Sequence, residues 1–466
     1  MIGQKGEKMK KSEEKRQEVG TKMTRRDILA GAAAVGAFTI VPRHVLGGPG
    51  QTPPSEKLNI AGVGIGGMGK NNVEACEGEN IVALCDVDFN LAANVFEKYP
   101  KAKKWRDYRQ MLEKQRDIDA VIVATPDHTH AVVAMAAMKM GKHVYVQKPL
   151  TRTVYESRML TEAARKYKVA TQMGNQGHSK EDCRLTKEWI AYGAIGLVRE
   201  VHCWTNRPVW PQGILRPTET RPVPEGLDWD LWLGPAPYRP YHPCYLPFNW
   251  RAWLDFGCGA LGDMACHVMD SAFWALDLRY PTSVEASCSA MVVEGGKRKE
   301  NNETYPRASI VHYTFPARGS MPELKLHWYD GGILPERPTE LEAGRQMPKS
   351  GTIFVGGKGK IMCGEYGDSP RIIPETKMRE YERPAKTLKR IQGSHEQNWL
   401  DACKSGEVAC SNFDYAGPFT ETVVMGNFAI RIPGTRLEWD GENMRVTNKE
   451  EANRFVNEPY REGWSL

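Results

Sequence analysis

The stretch Ile60-Ala61-Gly62-Val63-Gly64-Ile65-Gly66-Gly67-Met68-Gly69 decides the fold. A short apolar strand running into Gly64-x-Gly66-x-x-Gly69 makes a tight turn, and its backbone N–H groups, with those of Ile65, Gly67 and Met68, can approach a pyrophosphate at the start of the next helix. The following apolar run, Ile81-Val82-Ala83-Leu84-Cys85, ends at Asp86. That is about 20 residues beyond the glycines, the separation at which a carboxylate accepts hydrogen bonds from an adenosine ribose. An acid there repels a 2′-phosphate, so the cofactor reads as NAD in preference to NADP.

Beyond Asp86, apolar runs at 120–124, 144–146 and 169–173 alternate with helical stretches at 131–140 and 154–167. This is the pattern of an α/β, doubly wound parallel sheet. Near Ser179 it gives way to one helix-like segment and then β-rich, irregular sequence. The reading is a nucleotide-binding domain over 56–178 and a second domain over 179–466. Ten of the thirty prolines lie between Pro208 and Pro247, and a loop of that length in a compact domain is either functional or disordered. Eight of the thirteen tryptophans fall between Trp189 and Trp274, which argues for order.

The first 50 residues read as a leader and linker. Thr24-Arg25-Arg26-Asp27-Ile28-Leu29 precedes an uncharged Ala/Gly-rich run, Ile28 to Val41, too short to span a bilayer and suited to a signal-peptide core. Paired arginines before such a core resemble the twin-arginine export signal, which predicts a periplasmic or secreted protein without a stable membrane span. Ten Lys/Arg and five Asp/Glu up to Arg43 give the leader +5 of the net +6, leaving +1 for the rest. Nucleic acid is thereby excluded as an expected partner. Eleven scattered cysteines with no C-x-x-C pair indicate neither a disulfide framework nor a zinc site.

Several strand ends could carry chemistry. Ala124-Thr125-Pro126-Asp127-His128-Thr129-His130 follows one buried-type strand, and ligands of open α/β sheets bind where strands end. Two histidines without a third partner read as polar contacts, not as a metal site. Lys148 ends the next strand, between Gln147 and Pro149. In the second domain Asp263 and His267 stand at i and i+4 on a helix opening at Gly262, so both project from one face; a carboxylate there can fix an imidazole tautomer for proton transfer.

Five spaced motifs resemble the Gfo/Idh/MocA family of nicotinamide-dependent oxidoreductases. They are Gly64–Gly69, Ala124–His130, Gln147-Lys148-Pro149, Trp250-Arg251-Ala252-Trp253 and Gly262-Asp263-x-x-x-His267, and the resemblance runs from about Leu58 to Trp439. It implies a Rossmann domain followed by an α/β domain with an open, mostly antiparallel sheet that lines the site and offers a surface for homo-oligomerisation. It implies Lys148 between substrate hydroxyl and nicotinamide, His267 as general base and Asp263 orienting it. Thr125, Pro126, His130 and Asn175 would surround the nicotinamide ribose. One departure stands out: Gln147 replaces the family's usual glutamate, removing a carboxylate beside Lys148, which predicts that the lysine can exchange its proton during turnover.

The expected substrate is a small carbohydrate, a sugar, cyclitol or glycoside hydroxyl. Arg251, its charged fork between two tryptophans, and Trp250 are the candidate substrate contacts. Trp204, Trp210, Trp229, Trp232, Trp253, Tyr238, Tyr241 and Tyr245 could offer flat faces to sugar rings, although aromatic residues also anchor irregular loops. Export removes the protein from any pool of exchangeable nucleotide, so the expected cofactor is tightly bound and recycled. Three readings remain open: net oxidoreduction, glycoside cleavage by transient oxidation and elimination, and a non-catalytic exported sugar-binding protein.

Overall fold

The computed structural model describes Pro53 and residues 56–466. The twin-arginine stretch and the apolar run after it lie outside the described residues. Residues 58–466 form one compact unit built on two sheets.

The first sheet has six parallel strands: β1 (Asn59–Val63), β2 (Asn80–Cys85), β3 (Lys103–Trp105), β4 (Ala120–Val123), β5 (His143–Val146) and β6 (Thr171–Met173). Their order, β3-β2-β1-β4-β5-β6, reverses direction between β1 and β4. Every residue of β4 is buried, as expected for a central strand covered on both faces. α1 (Met68–Ala75) starts from the glycine turn and α2 (Asp127–Lys139) follows β4. α2 is buried nearly all round, which matches its Ala/Val/Met-rich sequence. α3 (Val154–Tyr167) opens with a reciprocal capping box between Thr153 and Glu156.

The second sheet is assembled from β7 (Val198–Trp204), β8 (Ser283–Cys288), β11 (Ser309–Phe315), β12 (Leu324–Tyr329), β13 (Gly351–Gly356), β14 (Gly359–Gly364), β15 (Arg371–Ile373), β16 (Leu437–Asp440) and β17 (Arg445–Val446). β9 (Met291–Val292) and β10 (Arg298–Lys299) pair apart from it. The order is β15-β14-β13-β7-β12-β11-β8-β16-β17, antiparallel throughout except for the parallel β7–β12 pair. The expected mostly antiparallel second sheet is therefore present, with one parallel pair within it. Val201, Cys203, Val311, Tyr313, Leu326 and Trp328 bury one face in the core. The alternate positions put His202, His312 and His327 in register on the other.

α4 (Gly259–Val268) lies beside the second sheet, and two late helices, α5 (His395–Ser405) and α6 (Phe413–Arg431), return to the first. α6 packs on α3 with one side and on β8 with the other, so it is buried along almost its whole length. Ser411 N donates to Gln172 Oε1 and Phe413 N to Thr171 Oγ1, tying the segment to β6. Residues far past 178 thus help complete the nucleotide-binding half.

Candidate active site

The glycine turn is shaped by close approach. Gly64 has φ +78°, and a Cβ there would sit 2.6 Å from Thr125 N; a Cβ on Gly69 would sit 2.1 Å from Gly64 O. Gly67, at the N-cap of α1, provides no side-chain cap, and although Lys70 N donates back to Gly67 O (3.1 Å), the N–H groups of Met68 and Gly69 remain for an anion. Asp86 Oδ2 accepts from Ile65 N (2.8 Å) and Gly66 N (3.0 Å), while Oδ1 accepts from Asp88 N (3.0 Å). Burial pushes the Asp86 carboxyl up to about 6, opposed by those three N–H groups. Asp86 therefore braces the loop from beneath as well as lining the cleft above it.

That cleft has a volume of about 410 Å³. Gly64, Gly66, Gly67, Met68 and Asp86 line one end, and Thr125, Pro126, His130, Gln147 and Lys148 also line it. Ile65 and Gly69 lie behind its surface, acting through backbone and close packing. Thr125 Oγ1 is buried without a hydrogen-bond partner. A turn that only glycine fits, free helix N–H groups and an orphaned hydroxyl together suit a dinucleotide.

The proline-rich segment closes the cleft at the Asp86 end. Phe89 N donates to Gly226 O (3.1 Å), Asp228 N to Val87 O (2.9 Å) and Arg106 Nη1 to Gly226 O (2.8 Å). Leu231, Trp232, Leu246, Phe248 and Trp464 line the wall so formed. Of the aromatic residues proposed for sugar faces, Trp204, Trp229, Trp253, Tyr241 and Tyr245 are spent on packing and Tyr238 points to solvent. Trp210, Trp232 and Trp250 reach a cavity.

A second cavity, about 210 Å³, adjoins the first, and both are lined by Met68, Gln147, Lys148, Phe248 and Arg251. Lys148 Nζ donates to Asp263 Oδ1 (2.8 Å) and to Asp263 O (2.9 Å). Arg251 Nε donates to the same Oδ1 at 3.0 Å, and its guanidinium stacks 4.2 Å from the Trp250 ring and 4.3 Å from the Phe248 ring. Although burial pushes the other way, the Lys148 and Arg251 charges hold the Asp263 carboxyl well below the usual carboxylate range. Here the structure corrects one expectation. Asp263 makes no hydrogen bond to His267; its reach is taken up by the two cations. The negative charge missing at Gln147 is supplied to Lys148 by Asp263 instead, while Gln147 Nε2 donates to Asn72 Oδ1 (2.9 Å).

His267 stands in the second cavity with Tyr366 packed on its ring at 4.7 Å. Its Nδ1 is buried without a partner. Burial, and then the Lys148 charge, push the imidazole down to about 3, so it is neutral at physiological pH.

His130 Nδ1 lies 2.8 Å from Pro149 O and its Nε2 2.8 Å from Thr125 O, so the ring ties together the two strand-end loops. His128 sits between Phe256 O and Trp232 O in the same way. Asn175 lines neither cavity, a further correction. It is buried behind them, donating to Asp270 Oδ1 (2.8 Å) and accepting from Ser411 Oγ (2.6 Å). Asp270 also accepts from the His178 ring and from Tyr415.

Sequence reasoning missed Asp127. It is the first residue of α2, lines the cleft and accepts from Cys258 N at 3.0 Å. Burial pushes its carboxyl up to about 7, against the pull of the Arg251 and Lys148 charges. Its position inside the quoted Thr125–His130 motif was the available signal. Arg207, Glu365 and Tyr366, which complete the second cavity, carry no motif.

Two family models match in chain order: an oxidoreductase family NAD-binding Rossmann fold over residues 58–175 and the oxidoreductase family C-terminal alpha/beta domain over 201–297. The chain belongs to the Gfo/Idh/MocA oxidoreductase family. Its first domain is the family's NAD-binding Rossmann fold, in keeping with the cleft's shape. A levoglucosan dehydrogenase of Pseudarthrobacter phenanthrenivorans is 27% identical over 229 residues, 47% of this chain and 50% of that protein. An alpha-N-acetylgalactosaminidase of Shewanella oneidensis is 33% identical over 157 residues, 31% of this chain and 34% of that protein. The chain spans about half the length, or less, of the curated relatives it matches. Among solved structures, the WlbA dehydrogenase of Bordetella pertussis, in complex with NADH and UDP-GlcNAcA, has TM-score 0.57 at 16% identity, covering 82% of this chain and 99% of that one. The family's two-part fold is thus present in this chain.

Proposed function

We propose that the protein is a nicotinamide-dependent oxidoreductase acting on a CH–OH group of a sugar, cyclitol or glycoside. The observation that carries this reading is Lys148 at the junction of the two cavities, fixed by Asp263 and facing the space that also holds neutral His267. NAD bound in the first cavity supplies the hydride acceptor. Lys148 donates a hydrogen bond to the substrate oxygen and stabilises negative charge there as its proton leaves. Neutral His267 has a ring nitrogen able to accept that proton. Asp263, itself anchored by Arg251, keeps the ammonium in place, and Gln147 Oε1 accepts from Lys148 N.

The cofactor is proposed to stay bound and be recycled, and the protein to be exported through its twin-arginine leader. The closure of the cleft over Asp86 by residues 226–232, and by Trp464, supports retention. The open face of the second sheet is the proposed self-association surface. A second reading, glycoside cleavage by transient oxidation and elimination, is favoured by the similarity to the alpha-N-acetylgalactosaminidase; it uses the same lysine and histidine.

Acid release of nucleotide from natively purified, dialysed protein tests the proposal. About one NAD(H) per chain, with turnover of a sugar or glycoside lost in Lys148→Ala, is the expected result. An empty protein would overturn retention, and full turnover in Lys148→Ala would overturn the catalytic assignment.

A further inference from the structure

We propose that the substrate carries an anionic group, a carboxylate or a phosphate, bound by Arg207; this deepens the reading above and rests on the second cavity being the substrate site. Arg207 lies just past the end of β7. Its backbone is held on both sides: N donates to Thr205 Oγ1 (3.3 Å) and O accepts from Gly331 N (2.6 Å). The side chain, half-buried, lines the second cavity and not the first, so it is placed for a substrate group and not for the phosphates of the dinucleotide.

Other arginines at comparable depth are spent on carboxylates, Arg158 on Glu421, Arg390 on Glu188 and Arg251 on Asp263, or on backbone carbonyls, Arg106 on Gly226 O and Arg318 on Leu276 O. Among the described residues the Arg207 guanidinium has no such partner. Lys148, Arg207 and Arg251 bring three cations to the cavity, while Asp263 and Glu365 bring two carboxylates. Asp263 is already shared between Lys148 and Arg251, and no ion pair joins Glu365 to Arg207 among the described residues. The cavity therefore keeps a surplus of one positive charge, and Arg207 is the cation in its lining that no carboxylate pairs among the described residues. Val209, Trp210 and Phe248 wall it with apolar surface, which strengthens a charge interaction by lowering the local dielectric. A guanidinium fork matches the two oxygens of a carboxylate or phosphate, whereas a neutral hydroxyl uses only part of it. The substrate would place its reacting hydroxyl at Lys148 and His267 and its anion at Arg207.

The test uses the natively purified, nucleotide-loaded protein. D-glucuronate, D-galacturonate and D-glucose 6-phosphate are titrated against D-glucose and D-galactose by calorimetry and by tryptophan fluorescence, since Trp210 lies in the cavity wall. At least tenfold tighter binding of an acidic sugar than its neutral counterpart is expected, weakening with salt. Arg207→Gln should abolish that preference and Arg207→Lys keep part of it, with nucleotide content and urea midpoint unchanged in both. Uronate against 6-phosphate distinguishes the two anions. Equal binding of neutral and acidic sugars, or a preference that survives Arg207→Gln, overturns the proposal while leaving the oxidoreductase reading intact. If no sugar binds although nucleotide is retained, both fail.

Discussion

Replacing Asp263 by asparagine should damage stability and turnover together, because one carboxylate oxygen serves two cations. Lys148 Nζ and Arg251 Nε lie 2.8 and 3.0 Å from Oδ1, so they are at most about 6 Å apart. At an effective dielectric of about 20, two unit charges at that separation repel by about 3 kcal/mol. The three side chains are only 13–20% exposed, which limits screening by water. Removing one member of a buried ion pair typically costs about 3–5 kcal/mol, so a loss of about 3 kcal/mol is expected for Asp263→Asn. Urea unfolding followed by tryptophan fluorescence measures it, with nucleotide content determined in parallel. Adding Lys148→Gln to Asp263→Asn removes the repulsion and should recover much of the loss, a double-mutant cycle with a coupling of at least about 1 kcal/mol. Turnover should fall on the order of a hundredfold or more in Asp263→Asn, as Lys148 is no longer held. A stability loss below about 1 kcal/mol, or no recovery in the double variant, would refute the shared-carboxylate reasoning.

Other outcomes follow from particular contacts. The Asp127 carboxyl titrates near 7 in the folded chain against about 4 unfolded, so its raised value contributes stability that is complete below pH 4 and is lost as pH rises through 7. Asp127→Asn should therefore match wild type at pH 4 and exceed it at pH 8 by up to about 4 kcal/mol, as read from urea midpoints across pH; a constant difference would contradict the assignment. Gly69→Ala forces a Cβ to 2.1 Å from Gly64 O, and nucleotide recovered by acid release should drop to a small fraction of wild type with the second domain still folded by circular dichroism. His267→Ala should lower turnover by about 10²–10⁴-fold and leave nucleotide content unchanged, as expected for a proton acceptor that lines only the second cavity. Gln147→Glu should leave the pH dependence of turnover in place, since Lys148 already has Asp263, while losing about 1–3 kcal/mol of stability because a carboxylate cannot donate to Asn72 Oδ1. A shifted profile would instead support the expectation drawn from the missing glutamate.

The local motifs were legible because their geometry is set by near neighbours in the chain. Only glycine tolerates φ +78° at 64 and backbone contact at 69, and an apolar run like Ala120–Val123 can be buried on both faces only at the centre of a parallel sheet. The glycine turn, Asp86, the Thr125–His130 and Gln147–Pro149 strand ends and the α4 pair were therefore readable without coordinates, as were the Rossmann domain and the type of the second sheet. Partners across the fold were not. Asp263 and His267 share a helix face, yet the positive charges of Lys148, 115 residues away, and of Arg251 claim the carboxylate, because charge-assisted contacts outweigh a neutral imidazole in a poorly solvated cavity. Asn175 is withdrawn from the cleft by Asp270 and Ser411, and the wall over Asp86 is built from residues more than a hundred positions on. Sequence alone determined which chemical groups stand at which strand and helix ends, since backbone sterics and hydrophobic periodicity act locally. Tertiary structure alone decided which of those groups pair, which stay unpaired and face a ligand, and where surplus charge remains, because burial and electrostatics depend on distances in space and not along the chain.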